Sequence, residues 1–284
     1  MKTFSAGRTD VGRKRKNNED SFHTDDQVSL YIVADGMGGH RAGEVASSTV
    51  VSSVKDYMEA FHTSPVAQET DESNMSPAAT AVCHSIELAN RVVYQLSQDQ
   101  GSYKGMGSTA AVAYLHGDTL VTANVGDSRI YLVREDSIEQ LTQDHTLFAE
   151  HIRKNPNWDP NSASIPMKHI LVRAVGIHEA VEADVYEMQP LPGDLVILCS
   201  DGLTDMLSDD EIHQAVLEGG ELEEVCSRLV DMANERGGLD NVTAVVFFSR
   251  KKRKGFCINC LDPNSLEASG TIKSLAGWDE SWLN

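Results

Sequence analysis

Residues 28–47 read VSLYIVADGMGGHRAGEVAS. The opening run is short, β-branched and aromatic, as a strand is. Asp35-Gly36 ends it, and Gly36, Gly38 and Gly39 lead past His40 into the start of a helix. A glycine-rich turn that opens a helix can hold an anion on its backbone amides. The turn is not a P-loop, because GxxxxGK followed by Ser or Thr is absent. Nor do Gly36, Gly38 and Gly39 give GxGxxG, so neither ATP nor NAD is implied.

The same arrangement recurs along the chain. Gly126-Asp127 follows VTANV, Asp201-Gly202 follows VILCS, and Asp240 precedes VTAVVFF within GLDNVT. Taken singly each is a turn, since Asp-Gly is a common turn pair. Taken together they suggest a site, because strand ends at one edge of a sheet gather side chains from distant sequence. Carboxylates that converge repel, and some are forced to protonate unless a cation lies among them. Oxygen donors with no His pair or Cys cluster suit magnesium or manganese rather than zinc. Glycine next to the carboxylate, as at Asp35, Asp127 and Asp201, leaves room for a backbone carbonyl or a water near the ion. A second constellation is Arg13, Lys14, Arg15 and Lys16 ahead of Asn17, Asn18, Glu19 and Asp20. An arginine fork suits phosphate oxygens and the adjoining carboxylates suit a metal or its waters, although an isolated run of this kind is also an ordinary solvated chain end.

Further strands are expected at 109–115, 119–125, 129–133, 195–200 and 242–248, with Gly117-Asp118 as a tight hairpin that makes part of the sheet antiparallel. Val50, Val54, Tyr57 and Phe61 recur at helical spacing, as do Val82, Ile86, Ala89, Val93 and Leu96. Leu222, Val225, Leu229 and Met232 draw a third stripe that stops near Gly237-Gly238. Residues 142–168, with three prolines and few apolar anchors, read as a surface excursion. Periodicity ends after Phe248, which leaves one domain over 1–249 and a flexible tail over 250–284.

The 284 residues carry a formal charge of −19. Residues 21–249 hold 12 basic against 36 acidic side chains, so a nucleic-acid partner is not expected despite the basic run at 250–254. No apolar stretch is long enough for a membrane span or secretory signal, and the expected location is cytoplasmic. Five cysteines without an export signal argue against a disulfide framework, and Cys83, Cys199 and Cys226 read as core. Cys257 and Cys260 are half a zinc site without its other half, and are expected to be incidental thiols of the tail.

The segments RKNNEDS, VADGMGGHRAGEVAS, GSTAAVAYL, ANVGDSRIYLV, LTQDH, LVRAVG, LVILCSDGLTD and LDNVTAVVF, in this order over roughly residues 5 to 249, resemble the metal-dependent protein phosphatase 2C family, in its bacterial form. The resemblance implies an α+β fold, a four-layer αββα sandwich of two mostly antiparallel sheets flanked by helices. It also implies hydrolysis of phosphoserine and phosphothreonine on proteins by a metal-activated water at a dinuclear magnesium or manganese site. Carried over, Asp35 bridges two ions, the Gly36 carbonyl binds one, and Asp201 and Asp240 hold the other. Asp127 resembles the ligand of a third, weaker ion shared with Asp201, while Glu19 and Asp20 act through metal-bound water. Arg15 falls where the family binds phosphate, with Arg13 its competitor by chemistry. No Cys-x5-Arg loop for a cysteine nucleophile is present.

His40 resembles the general acid proposed in some members, but Met37, Gly38 and Gly39 separate it from Asp35-Gly36, where animal members place His directly. Fixing the loop or capping the helix is the alternative role. Residues 142–168 correspond to the family's variable flap, for which substrate selection is expected. The implied partners are phosphorylated Ser/Thr proteins and a cognate Ser/Thr kinase, with the chain a monomer. Two other readings remain open: a phosphoprotein-binding scaffold that has lost turnover, and a small-molecule phosphohydrolase using the same carboxylates.

Overall fold

The computed structural model describes residues 2–38, 42–64, 75–99, 101–156, 158 and 169–250. His40, the tail with Cys257 and Cys260, and residues 157 and 159–168 of the flap lie outside these.

Eleven strands are present among the described residues: β1 (Lys2–Asp10), β2 (Asp20–Asp25), β3 (Leu30–Met37), β4 (Gly107–Ser108), β5 (Ala110–His116), β6 (Thr119–Val125), β7 (Arg129–Arg134), β8 (Ser137–Gln140), β9 (Asp184–Met188), β10 (Leu195–Cys199) and β11 (Val242–Arg250). The helices are α1 (Ala42–Thr63), α2 (Pro77–Asp99), α3 (Leu147–Lys154), α4 (Asp201–Thr204), α5 (Asp209–Leu217) and α6 (Leu222–Glu235). One sheet runs β1-β11-β10-β7-β8 and the other β2-β3-β5-β6-β9, with β4 added to β3. Neighbours pair antiparallel throughout.

The central strands are apolar on both faces because both faces are covered. On β3, Tyr31 and Val33 point at the other sheet, where they meet Ile130, Leu132, Val196, Leu198, Val245 and Phe247. Leu30, Ile32 and Ala34 point the other way, under α1 and α2. Tyr31 stacks on Phe247 with centroids 3.8 Å apart, fastening sheet to sheet. On the far side, Ile197 and Cys199 of β10 and Val242, Ala244 and Val246 of β11 pack against Leu229, Val230 and Ala233 of α6. Helices, sheet, sheet and helices therefore form four layers, the αββα sandwich that the resemblance implies.

Hairpin β5–β6 turns through Gly117 and Asp118, with His116 opposite Thr119 and Gly117 at φ 62°, a conformation that favours glycine. The α1 stripe buries Val50, Val54, Met58 and Phe61, with Tyr57 only partly covered. Helix α6 ends before Gly237 and Gly238, which sit at φ 131° and 49°. Cys199 and Cys226 are buried as expected, but Cys83 is only half-buried, because its position on α2 faces away from the sheet-facing stripe of Val82, Ile86 and Ala89.

Candidate metal centre

The sandwich brings one end of its strands together. Asp35 lies near the end of β3, Asp127 just beyond β6, Asp201 just beyond β10, and Asp240 just ahead of β11. Asp20 opens β2 directly opposite Asp35 in the register. Arg15, Glu19, Asp35, Gly36, Asp127, Asp201 and Asp240 line one cleft of about 690 Å³. Asp20 is buried beside it, and Arg13 is absent from its lining.

Several of these residues are fixed by their surroundings. The Asp35 backbone N–H donates to Thr109 Oγ1 at 2.8 Å, and its carbonyl accepts from Ser108 Oγ at 2.9 Å and from the Thr109 N–H at 2.8 Å. Asp20 Oδ2 accepts from Ser200 Oγ at 2.7 Å and Thr243 Oγ1 at 2.6 Å, which ties β2 of one sheet to β10 and β11 of the other. Arg15 reaches Asp240 Oδ2 at 2.6 Å. Glycines set the spacing: a Cβ on Gly36 would stand 2.0 Å from the Gly43 carbonyl oxygen, and one on Gly202 would stand 2.0 Å from that of Asn241.

Crowding these acids has an electrostatic consequence. Burial is the largest cause that raises the Asp20 carboxyl to about 7, with Asp201 and Asp240 adding to it. Burial raises Asp127 to about 8, helped by Asp201 and Asp144. Burial, then Asp205 and Asp240, raises Asp201 to about 6. Asp35 is pushed well above the usual range by burial and then by Asp20, Asp201 and Asp127. Buried polar atoms ordinarily have partners. Here Asp20 Oδ1 and Asp201 Oδ1 are buried with none. Orphaned oxygens among like charges, in a set of oxygen donors alone, are what a hard divalent cation relieves, so the residues present suit magnesium or manganese.

Several residues of the site are not among those expected from the sequence. Asn241 accepts from the Glu19 N–H at 2.8 Å and donates to the carbonyls of Val11 and Asn17 at 2.9 Å each, which fastens the loop carrying Arg15 and Glu19 to the start of β11. Asp205 follows Asp201 by one helical turn, and that i, i+4 spacing is the sequence signal for it. His169, Asp201 and Asp205 offer donor atoms within 4.8 Å of one another. His178 and Arg173 also line the cleft. No local pattern in the sequence marks His169 or His178, whereas Arg173 lies within the segment LVRAVG.

A two-sheet sandwich that gathers carboxylates around a cleft with an arginine at its rim defines a metal-dependent phosphohydrolase. The protein phosphatase 2C family model matches residues 10–241, and the chain belongs to that family. It is 35% identical over 251 residues to the serine/threonine phosphatase stp of Listeria innocua serovar 6a, covering 87% of this chain and 96% of that one. It is 34% identical over 241 residues to protein phosphatase PhpP of Streptococcus pneumoniae serotype 2, covering 84% and 94%. Among solved structures it resembles the serine/threonine phosphatase of S. agalactiae with a TM-score of 0.76 at 36% identity, over 87% of this chain and all of that one. The catalytic domain of the phosphatase PstP in complex with two manganese ions gives a TM-score of 0.71 at 32% identity, over 87% and 97%.

Proposed function

We propose that this protein removes phosphate from phosphoserine and phosphothreonine on proteins, with two magnesium or manganese ions as cofactors. The observation that carries the reading is the pair of buried, partnerless oxygens of Asp20 and Asp201 within a set of raised carboxyls, beside a cleft that Arg15 borders. Asp35 and the Gly36 carbonyl, with Asp201 and Asp240, hold the two ions. Asp127 joins Asp201 at a third, weaker position. Glu19 and Asp20 orient water at the centre. When bound, the ions lower the proton affinity of water and offset negative charge on phosphoryl oxygens.

Arg15 presents its guanidinium fork to the phosphoryl oxygens and so fixes the phosphate in the cleft. Its present partner, Asp240, lies at the same rim, so the arginine is close to where the phosphate is needed. His40 is the proposed proton donor to the departing alkoxide, and His169, which lines the cleft 3.6 Å from Asp205, is the second candidate.

The catalytic domain spans residues 1–249, with 142–168 as a flap that selects substrates and 250–284 as a tail. The enzyme opposes a Ser/Thr kinase, acts as a monomer and works in the cytoplasm. Among the described residues no helix is long and apolar enough to cross a membrane. The test is phosphate release from a protein phosphorylated on Ser and Thr, with manganese and then with excess chelator. Manganese-dependent release supports the reading. Binding without turnover under any divalent ion supports the scaffold, and turnover confined to small phosphate esters supports the small-molecule enzyme.

A further inference from the structure

A second group of metal-ligating side chains lies away from the cleft, on the outer face of β2. Alternation along that strand sends Ser21, His23 and Asp25 toward α1. Ser21 Oγ meets Ser47 Oγ of α1 at 2.9 Å, which fixes that orientation. Further along α1, at helical spacing from Ser47, stand Lys55 and Glu59. His23, Asp25 and Glu59 each offer a donor atom, and the three atoms lie within 4.8 Å of one another. His23 is about 10 Å along β2 from Asp20, at roughly 3.3 Å per residue, so the cluster is separate from the carboxylates of the cleft.

One buried atom points to a missing ligand, and a second residue is already oriented toward the same place. His23 Nε2 is buried without a hydrogen-bond partner. Asp25 is oriented through one oxygen: Oδ1 accepts from the N–H groups of Gln27 at 2.7 Å and Val28 at 3.0 Å, while Oδ2 is left to serve elsewhere. Glu59 is the adjustable member, on a partly exposed stretch of α1, with Lys55 Nζ 3.6 Å from its Oε1.

We propose that His23, Asp25 and Glu59 form a binding site for a borderline divalent ion, zinc above all, that clamps the edge strand β2 to α1. One imidazole nitrogen with two carboxylate oxygens is a donor set for zinc or cobalt, whereas the carboxylates of Asp20, Asp35, Asp201 and Asp240 in the cleft suit harder ions. Ligand distances of about 2 Å put donor atoms roughly 3.3 Å apart in a tetrahedron, so the cluster must contract on binding. Rotation of the Glu59 side chain supplies that contraction. Lys55 is the opposing group, since its ammonium now neutralises Glu59 and has to swing into solvent when the ion enters.

The experiment titrates zinc chloride into the whole protein in excess magnesium, by calorimetry, and repeats the titration with cobalt by visible absorption. Wild type should bind one more zinc than the cluster variants do, with four-coordinate cobalt bands. His23→Gln and Glu59→Gln should weaken that binding roughly tenfold or more. Lys55→Gln should tighten it, and Asp35→Asn should leave it intact. Glu59→Gln changes a partly exposed helix position, so its fold is secure if His23→Gln proves unstable. Zinc binding unchanged by both cluster variants, or abolished by Asp35→Asn alone, overturns the proposal.

Discussion

Asp35 carries a heavy electrostatic load, because its carboxyl is buried among Asp20, Asp201 and Asp127. Asparagine has nearly the same shape and removes the charge. In metal-free protein at pH 8, Asp35→Asn should therefore unfold at a higher temperature than wild type, by several degrees, while manganese-dependent turnover falls about 10³-fold or more. Activity assays and thermal melts check this, and a variant with full turnover would remove Asp35 from the centre. Arg15 is a different case. It is half exposed and pairs with Asp240. Arg15→Ala should change stability by no more than about 0.5 kcal/mol, yet lower kcat/KM for a phosphopeptide by roughly 10²-fold. If Arg13→Ala produces the kinetic loss instead, Arg13 is the phosphate-binding arginine.

At the scale of elements, the centre depends on how closely α4 approaches β11. Gly202 lies on α4, and a Cβ there would stand 2.0 Å from the Asn241 carbonyl oxygen. Both are backbone contacts of packed elements, so neither side can yield cheaply. Gly202→Ala should cost about 1–3 kcal/mol in urea unfolding and should weaken manganese binding as Asp201 moves from Asp240. Gly117→Ala is the control, since nothing lies within 4 Å of its Cβ and only the positive φ resists, for about 1 kcal/mol and with no effect on manganese. A manganese affinity unchanged in Gly202→Ala would mean that α4 does not set the ligand spacing. The elements also divide by how well the sequence announces them. The expected strands correspond to β3, β5, β6, β7, β10 and β11, all covered on both faces and written as apolar runs. Of the five unexpected strands, β4 is a two-residue pairing onto β3, and β1, β2, β8 and β9 are the four sheet edges, where one side of the ladder is open and polar residues are tolerated. Asp35, Asp127, Asp201 and Asp240 were legible because each borders a central strand, whereas Glu19 and Asp20 stood out only in the charge run leading into the edge strand β2. The roles of Asn241, His169 and Arg173 were not legible, although Asn241 and Arg173 fall within LDNVTAVVF and LVRAVG, because those roles come from contacts across the fold rather than from neighbours in the chain.

For the whole molecule, the raised carboxyls link stability to pH and metal together. An unfolded aspartate titrates near 3.8, whereas Asp201, Asp20 and Asp127 reach about 6, 7 and 8 in the folded chain. Between those limits the folded state holds more protons than the unfolded state, so its stability falls as pH rises. His23 and His145 act in the opposite sense, because burial lowers their imidazoles and costs the fold stability below their usual 6.5. The carboxyl effect is therefore cleanest above that point. With chelator present, the melting temperature should drop by roughly 5 °C between about pH 6.5 and pH 8.5. Manganese should reverse the trend, since it replaces the protons as the neutralising charge and gains affinity as they leave, so its stabilisation should be larger at the higher pH. Asp35→Asn, with one charge fewer in the cluster, should show a shallower slope in chelator. A flat chelator profile in wild type would mean that these acids ionise without mutual hindrance, and the case for a cation among them would lose its electrostatic basis.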